Sequence, residues 1–381
     1  MVLFGADHVA EFENLFTGRV ALLTGPSGRT SGNVPTIDVL KQCCNLQLLL
    51  APEHGVRGDK AAGALFADEI DESSGLPVRS LYTKDSKRLS RETLALFDTL
   101  VYDIADVGCR YYTFLTTLRY CIEDCAAAGK RLVVLDRPNP LGDRVEGGIV
   151  RPDVISFVGG YEMPVCYGLT CGELAEMMNR ELHCGCALHI VPCAGLTRSM
   201  TFRDWGHCWV MPSMGIPRFE TALLYPGTCL IEGTNCSEGR GTGDPFGIIG
   251  APFIQAEAFC KAFNALGCPG LEATPVYFTP TASKHQGVLC GGIQLHILDE
   301  TILEPVAMGV RLLDLLRRMY PKDFAFLPPV REDGKIFLSL LAGHRDFEKP
   351  DWDADALLAR YAEESARFRP RKAAYERYPK E

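Results

Sequence analysis

The chain has 381 residues, 47% of them hydrophobic and 23% charged, with a net charge of −9. That size suits two domains, or one large domain with an elaborate second lobe, and the composition is that of a soluble globular protein. Net acidity without a basic cluster argues against nucleic acid or an anionic membrane surface as partner, and no apolar run reaches transmembrane length.

Sixteen cysteines are many for this length. Cys43 and Cys44 are adjacent and none forms a Cys-x-x-Cys pair, so the scattered thiols suggest a reducing compartment rather than a disulfide framework. Residues 1–8 lack a basic segment followed by a long apolar one. A cytoplasmic protein is therefore expected, or a secreted or periplasmic one if a leader precedes it. His183-Cys-Gly-Cys-Ala-Leu-His189 is a poor zinc site, because its ligands crowd together and no second pair follows.

In chain order, residues 20–24 read as a buried strand, followed by a Gly/Ser/Thr loop and a helix over 35–42. A second strand over 46–50 ends in a polar run. Residues 77–82 form a third strand and 90–97 a helix with Ser90 as N-cap. A fourth strand over 99–103 leads to a helix over 113–128, stopped by Gly129. A fifth strand covers 131–136. Thr170 to Glu173 is a capping box that opens a helix reaching about Leu182, and 188–191 adds a strand. This alternation predicts an α/β fold, a parallel sheet with helices on both faces. From about Pro212 the alternation fades and Pro and Gly become frequent. The expected division is 1–212 and 213–381, the second part holding a polar loop, a helix near 304–319 and a terminal helix near 353–368.

In open parallel sheets ligands bind at the carboxyl ends of the strands. Those ends carry Ser27 after the first strand and Glu53, His54 and Arg57 after the second. Asp103, Asp106, Arg110, Tyr111 and Tyr112 follow the fourth, and Asp136, Arg137 and Asn139 the fifth. The second part adds Glu232-Gly-Thr-Asn-Cys-Ser-Glu-Gly-Arg-Gly-Thr242, with Glu232, Asn235, Glu238, Arg240 and Thr242 between apolar flanks. Its glycines allow close backbone approach, and its planar or short polar groups suit a hydroxyl-rich ligand. The glycine spacings fit neither a dinucleotide fingerprint nor a phosphate loop, and no Gly-x-Ser-x-Gly elbow occurs. Glu53 opposite Glu232 or Glu238 is the minimal machinery of a glycosidase. Spacing alone ranks this no higher than ordinary ion pairs, Glu53 with Arg57 and either loop glutamate with Arg240. Asp103 and Asp106 are a possible Mg²⁺ pair, which the adjoining Arg110 disfavours.

Leu50-Ala-Pro-Glu-His-Gly-Val-Arg-Gly58, Tyr102-Asp-Ile-Ala-Asp-Val-Gly-Cys-Arg-Tyr-Tyr-Thr113, Leu135-Asp-Arg-Pro-Asn-Pro140 and the 232–242 loop together resemble the NamZ-like exo-β-N-acetylmuramidases, from about Arg19 to the C-terminus. The resemblance implies a Rossmann-like N-terminal domain, a smaller α+β C-terminal domain and a cleft between them. It implies release of N-acetylmuramic acid from non-reducing ends of peptidoglycan fragments, a carbohydrate substrate, without a cofactor; the ligand spacings offer no metal site. Glu53 becomes the leading catalytic candidate, with Glu232 and Glu238 opposite. Arg57, Arg110, Arg137 and Arg240 are candidates for the lactyl carboxylate. One departure is Pro212-Ser-Met-Gly-Ile-Pro217, where the family more usually has Pro-Ser-Pro-Asn-Ile-Pro. A non-catalytic binder of cell-wall sugars is the alternative. The sequence leaves the oligomeric state open.

Overall fold

The computed structural model describes residues 1–60, 63–83, 86–329 and 334–381. A 3-10 segment, Gly5–Leu15, precedes β1 (Val20–Thr24), α1 (Thr36–Cys43) and β2 (Leu46–Ala51). Then come β3 (Glu69–Asp71), β4 (Leu76–Ser80), α2 (Arg91–Leu94), β5 (Thr99–Asp103), α3 (Phe114–Ala127) and β6 (Arg131–Leu135). A short ribbon of β7 (Val145–Glu146) and β8 (Cys166–Tyr167) is followed by α4 (Cys171–Glu181) and β9 (Ala187–Val191). The seven-stranded sheet has the order β3-β4-β2-β1-β5-β6-β9, parallel except where β3 meets β4.

The strands of this sheet divide their side chains between two cores. Ala21, Leu23, Leu100, Tyr102, Leu132 and Val134 face one, and Val20, Leu22, Val101, Val133 and Leu135 face the other. This is the period of two expected for strands covered on both faces. The register skips Gln47 between the pairs Val20–Leu46 and Ala21–Leu48. Leu46 and Leu49 therefore share a core although three residues apart. Helices α3 and α4 cover the first core, while α1 and the Gly5–Leu15 segment cover the second.

The chain continues through α5 (Phe202–Trp205), α6 (Phe219–Thr228), β10 (Ile248–Ala251), α7 (Ala256–Asn264), β11 (Leu271–Phe278), β12 (Cys290–Ile297), α8 (Pro305–Met319), α9 (Phe337–Ala342) and α10 (Ala354–Ala373). A three-stranded antiparallel sheet, β10-β12-β11, is the second layer. Helices α6 and α8 cross backbone to backbone: a Cβ on Gly227 would lie 1.9 Å from the Pro305 carbonyl, and one on Gly309 2.5 Å from that of Gly227. The terminal helix runs through Pro370 to Ala373, beyond the expected stop. Its last turn is anchored by buried Lys372, which contacts Asp143 and Glu376. The same end of the chain returns to the first part, where Tyr378 donates to Asp136 at 2.5 Å. Strand order reverses about β1 and β5, which places the crevice of an open α/β sheet outside their carboxyl ends.

Candidate active site

Glu53 follows β2 by two residues. Its Oε2 accepts the Thr113 hydroxyl at 2.6 Å and its Oε1 the Gly63 amide at 3.0 Å. The expected Arg57 pair is not formed: Arg57 grips Asp71 through two nitrogens, at 2.8 and 2.7 Å. Tyr82 and Lys87 approach Glu53 from beyond β4, with Lys87 Nζ 3.2 Å from the centre of the Tyr82 ring. Burial, reinforced by the Glu53 charge, pushes the Tyr82 phenol up, whereas burial holds the Lys87 ammonium below its ordinary value against the pull of Glu53. His54 adopts φ +76° and sets its ring edge-on to Phe114, centroids 6.5 Å apart.

Aromatic rings link this strand end to the polar loop. Phe114 meets Tyr112 at 4.8 Å, Tyr112 meets Tyr225 at 6.2 Å, and Tyr225 meets Phe246 at 4.8 Å. The Arg240 guanidinium lies 5.0 Å over Phe246. Tyr112 sits beside Ser213 and within the fields of Asp106, Glu53 and Arg240 together; burial pushes its phenol up. The charges of Glu53 and Arg240 both act on this one tyrosine.

In the loop, Arg240 donates from Nε (3.0 Å) and Nη2 (2.6 Å) to Oε1 of Glu232, the ion pair that spacing alone already allowed. Its Nε is also 3.4 Å from Glu238. Burial raises the Glu232 carboxyl, Arg240 opposes the rise and Glu238 adds to it. Lys284, from a segment without a motif, lies 2.9 Å from Glu238. Six non-glycine residues have positive φ among the described residues, and His54, Phe246, Ser283 and His285 belong to these same loops. Such backbone states concentrate where the surroundings over-determine them, often at functional sites.

Several candidates for substrate contact spend hydrogen bonds on the scaffold. Buried Arg110 donates to the carbonyls of Gly148, Met163 and Leu341, the first two from Nη1 and the third from Nη2. Buried Tyr111 donates to the Pro226 carbonyl. Asn139 bridges Leu169 and Leu141, and Asn235 bridges Asp323 and Ala325. Thr242 closes a turn on the Gly239 carbonyl. Asp103 forms a buried pair with Arg137, 2.5 Å at Nε. Asp136 receives Thr170 and Tyr378, and burial pushes it up to about 6. Asp106 accepts the Gly108 amide and contacts the Tyr167 hydroxyl; burial pushes it up to about 6. Both oxygens of Asp103 meet Arg137, whereas Oδ1 of Asp106 is buried without a hydrogen-bond partner among the described residues.

Ser27, Asp106 and Arg137 line a cavity of about 70 Å³ walled by Trp205 and Trp209. Arg57 lines a neighbouring one of about 200 Å³ with Gly25, Pro26 and Met211. Both lie beside the carboxyl end of β1. Tyr82 and Lys87 were legible in principle as polar residues past the third expected strand. Tyr225 and Lys284 carry no such signal, and Thr113, which closes the 102–113 motif, reads from sequence only as the start of a helix.

The family model described as "Exo-beta-N-acetylmuramidase NamZ, N-terminal" matches residues 20–220, and its C-terminal companion matches 223–378. The chain belongs to the NamZ exo-β-N-acetylmuramidase family. It is 43% identical over 312 residues to the peptidoglycan β-N-acetylmuramidase NamZ of Bacillus subtilis (strain 168), which covers 81% of this chain and 75% of that relative. Two crystal structures of DUF1343-family proteins from Bacteroides fragilis NCTC 9343 share the fold. One has a TM-score of 0.88 at 32% identity and covers 99% of each chain; the other has 0.78 at 29% and covers 100% of each. The NamZ resemblance read from the four motifs is thereby established, as is the α/β class with a second, antiparallel part.

Proposed function

We infer that this protein is a glycoside hydrolase, an exo-acting peptidoglycan β-N-acetylmuramidase that releases N-acetylmuramic acid from non-reducing ends. The observation that carries the reading is Glu53, held at the carboxyl end of β2 by Thr113 and the Gly63 amide inside a chain of this family. A strand end fixes a carboxyl more rigidly than a free loop does, as acid–base catalysis requires. We assign Glu53 the acid–base role and place the Glu232–Glu238–Arg240 group across the site, beyond Tyr112. The crevice between them runs along the division near residue 212. Protonation of the glycosidic oxygen and stabilisation of positive charge at the anomeric carbon would then fall to separate carboxyls. Arg57 or Arg240 would receive the lactyl carboxylate, since a guanidinium matches a carboxylate through two parallel hydrogen bonds. No helix among the described residues is long and apolar enough to cross a membrane.

The test is incubation with a chromogenic β-N-acetylmuramide and with a muramyl disaccharide bearing its muramic acid at the non-reducing end. Release of free N-acetylmuramic acid from both supports the reading. Saturable binding without turnover would make the protein a sugar-binding member of an enzyme family.

A further inference from the structure

Lys284 lies outside every motif read from the sequence, yet it sits against the middle of the 231–240 segment. Its Nζ donates to the carbonyls of Ile231 (2.9 Å) and Thr234 (3.0 Å). The same ammonium lies 2.9 Å from Oε2 of Glu238, an ion pair without hydrogen-bond alignment. The segment carrying Lys284 is itself locked down. Thr281 donates its amide and its hydroxyl to the Gly241 carbonyl, at 2.9 and 2.8 Å. A Cβ on Gly241, where φ is +78°, would come within 2.4 Å of the Ala282 nitrogen. The neighbours of Lys284, Ser283 and His285, hold φ of +68° and +58°. His285 Nε2 closes on the Asn235 carbonyl at 2.7 Å. The ammonium is therefore fixed in place.

Two carboxylates and two cations make up the cluster. Glu238 is only 2% exposed and Glu232 19%, so both cannot ionise side by side without compensation. Arg240 is bonded through two nitrogens to Glu232 and reaches Glu238 only at 3.4 Å, whereas Lys284 is closer to Glu238. The other titratable groups facing the cluster are Tyr225 and Cys229 toward Glu232, and Cys236 toward Glu238 and Lys284. Burial raises all three, so each is neutral at pH 7 and adds no charge.

We propose that Lys284 is a positioning residue of this site: its ammonium stands as the second cation beside the Glu232–Glu238 pair and pins the loop that carries both carboxyls opposite Glu53. The proposal rests on the reading of the protein as a glycosidase. Two cations then stand against two carboxyls, which leaves proton transfer to Glu53 and stabilisation of positive charge to this pair.

The experiment compares kcat/KM against pH for wild type, Lys284→Met and Lys284→Arg on a chromogenic β-N-acetylmuramide. Without the ammonium, two carboxylates share one cation and take up a proton at higher pH. The acid limb of the Lys284→Met profile is expected to move up by about one pH unit or more, a tenfold change in proton affinity. Lys284→Arg, which keeps the charge, should leave the limb at the wild-type position. An unmoved limb in folded Lys284→Met, or an equal displacement in both variants, overturns the proposal. If Lys284→Met does not fold, Lys284→Gln, which keeps a donor without the charge, is judged by the same criterion. An inactive wild type would instead overturn the glycosidase reading.

Discussion

Thr113 donates its hydroxyl to Oε2 of Glu53 at 2.6 Å, although it stands at the N-cap position of α3 and makes no side-chain cap there. An N-cap hydroxyl ordinarily satisfies an orphan amide of its own helix. Here it turns across to the end of another strand and orients a carboxyl. A cap bond is forgone and a site geometry is fixed.

Glu53→Gln preserves shape and removes ionisation. It is expected to lower kcat at least ~100-fold, the scale of a lost acid–base group. Thr113→Val should lower kcat by about tenfold, near the net value of one hydrogen bond to a charged group, with KM little changed. Steady-state kinetics on a β-N-acetylmuramide, with circular dichroism to confirm folding, checks both. Near-normal turnover in folded Glu53→Gln removes this residue from the mechanism.

The lactyl carboxylate separates muramic acid from glucosamine, and an acidic protein needs a local cation to hold it. Arg110 and Arg137 are committed to buried carbonyls and to Asp103. Arg57 and Arg240 remain 39% and 29% exposed. Truncating at least one of these two to Met is expected to raise KM about tenfold or more for muramides while sparing glucosaminides, since a charge-assisted bidentate contact is worth more than a neutral one. Equal losses on both sugars would identify the residue as scaffold.

The first part of the fold was legible because its central strands are largely apolar and α2 and α4 carry side-chain caps. Thr170 and Glu173 form the reciprocal capping box that their spacing announces, and Ser90 accepts from the Thr93 amide. The antiparallel sheet was not legible. Gly250, Gly291 and Gly292 interrupt two of its strands, where the backbones approach so closely that a Cβ on Gly292 would lie 2.1 Å from the Ile249 carbonyl. Pro275 sits within β11, tolerated because that strand is an edge. Proximity to strand ends singles out Glu53, whose acid–base role is a proposal. It could not distinguish Arg57 and Arg240, which stay accessible, from Arg110 and Asn139, which are buried and donate to backbone carbonyls. That distinction depends on partners distant in sequence: Leu341 lies 231 residues from Arg110.

The Asp103–Arg137 pair should behave as scaffold. Asp103 is fully buried, and Arg137 also donates to the Arg29 carbonyl at 2.7 Å. Asp103→Asn leaves a buried guanidinium without its counter-charge, a change expected to cost about 3–5 kcal/mol. Urea unfolding should show the midpoint falling sharply, while KM in the remaining folded protein stays within about twofold, below the tenfold that corresponds to one lost charged contact. A large rise in KM with intact stability would return Asp103 to the substrate.

Glu146 predicts a pH dependence of stability away from the active site. Its Oε1 accepts the Ala307 amide at 2.9 Å at the start of α8, while its Oε2 is buried without a hydrogen-bond partner. Burial pushes this carboxyl up from 4.5 to about 7, with the Ala307 amide and Arg144 opposing and Glu304 reinforcing. The folded protein therefore holds a proton here that the unfolded chain has released. The associated stability is fully present below pH 4.5 and is lost as pH rises through about 7. Glu146→Gln keeps an acceptor for Ala307 and cannot ionise. It should come close to wild type at pH 5 and exceed it at pH 8 by on the order of 3 kcal/mol, since the carboxyl rises from 4.5 to about 7. Thermal melts of both proteins at the two pH values decide the matter. Equal melting temperatures at pH 8 would mean that the folded protein accommodates the charged carboxylate at no cost, and that Arg144, 3.9 Å away, compensates it.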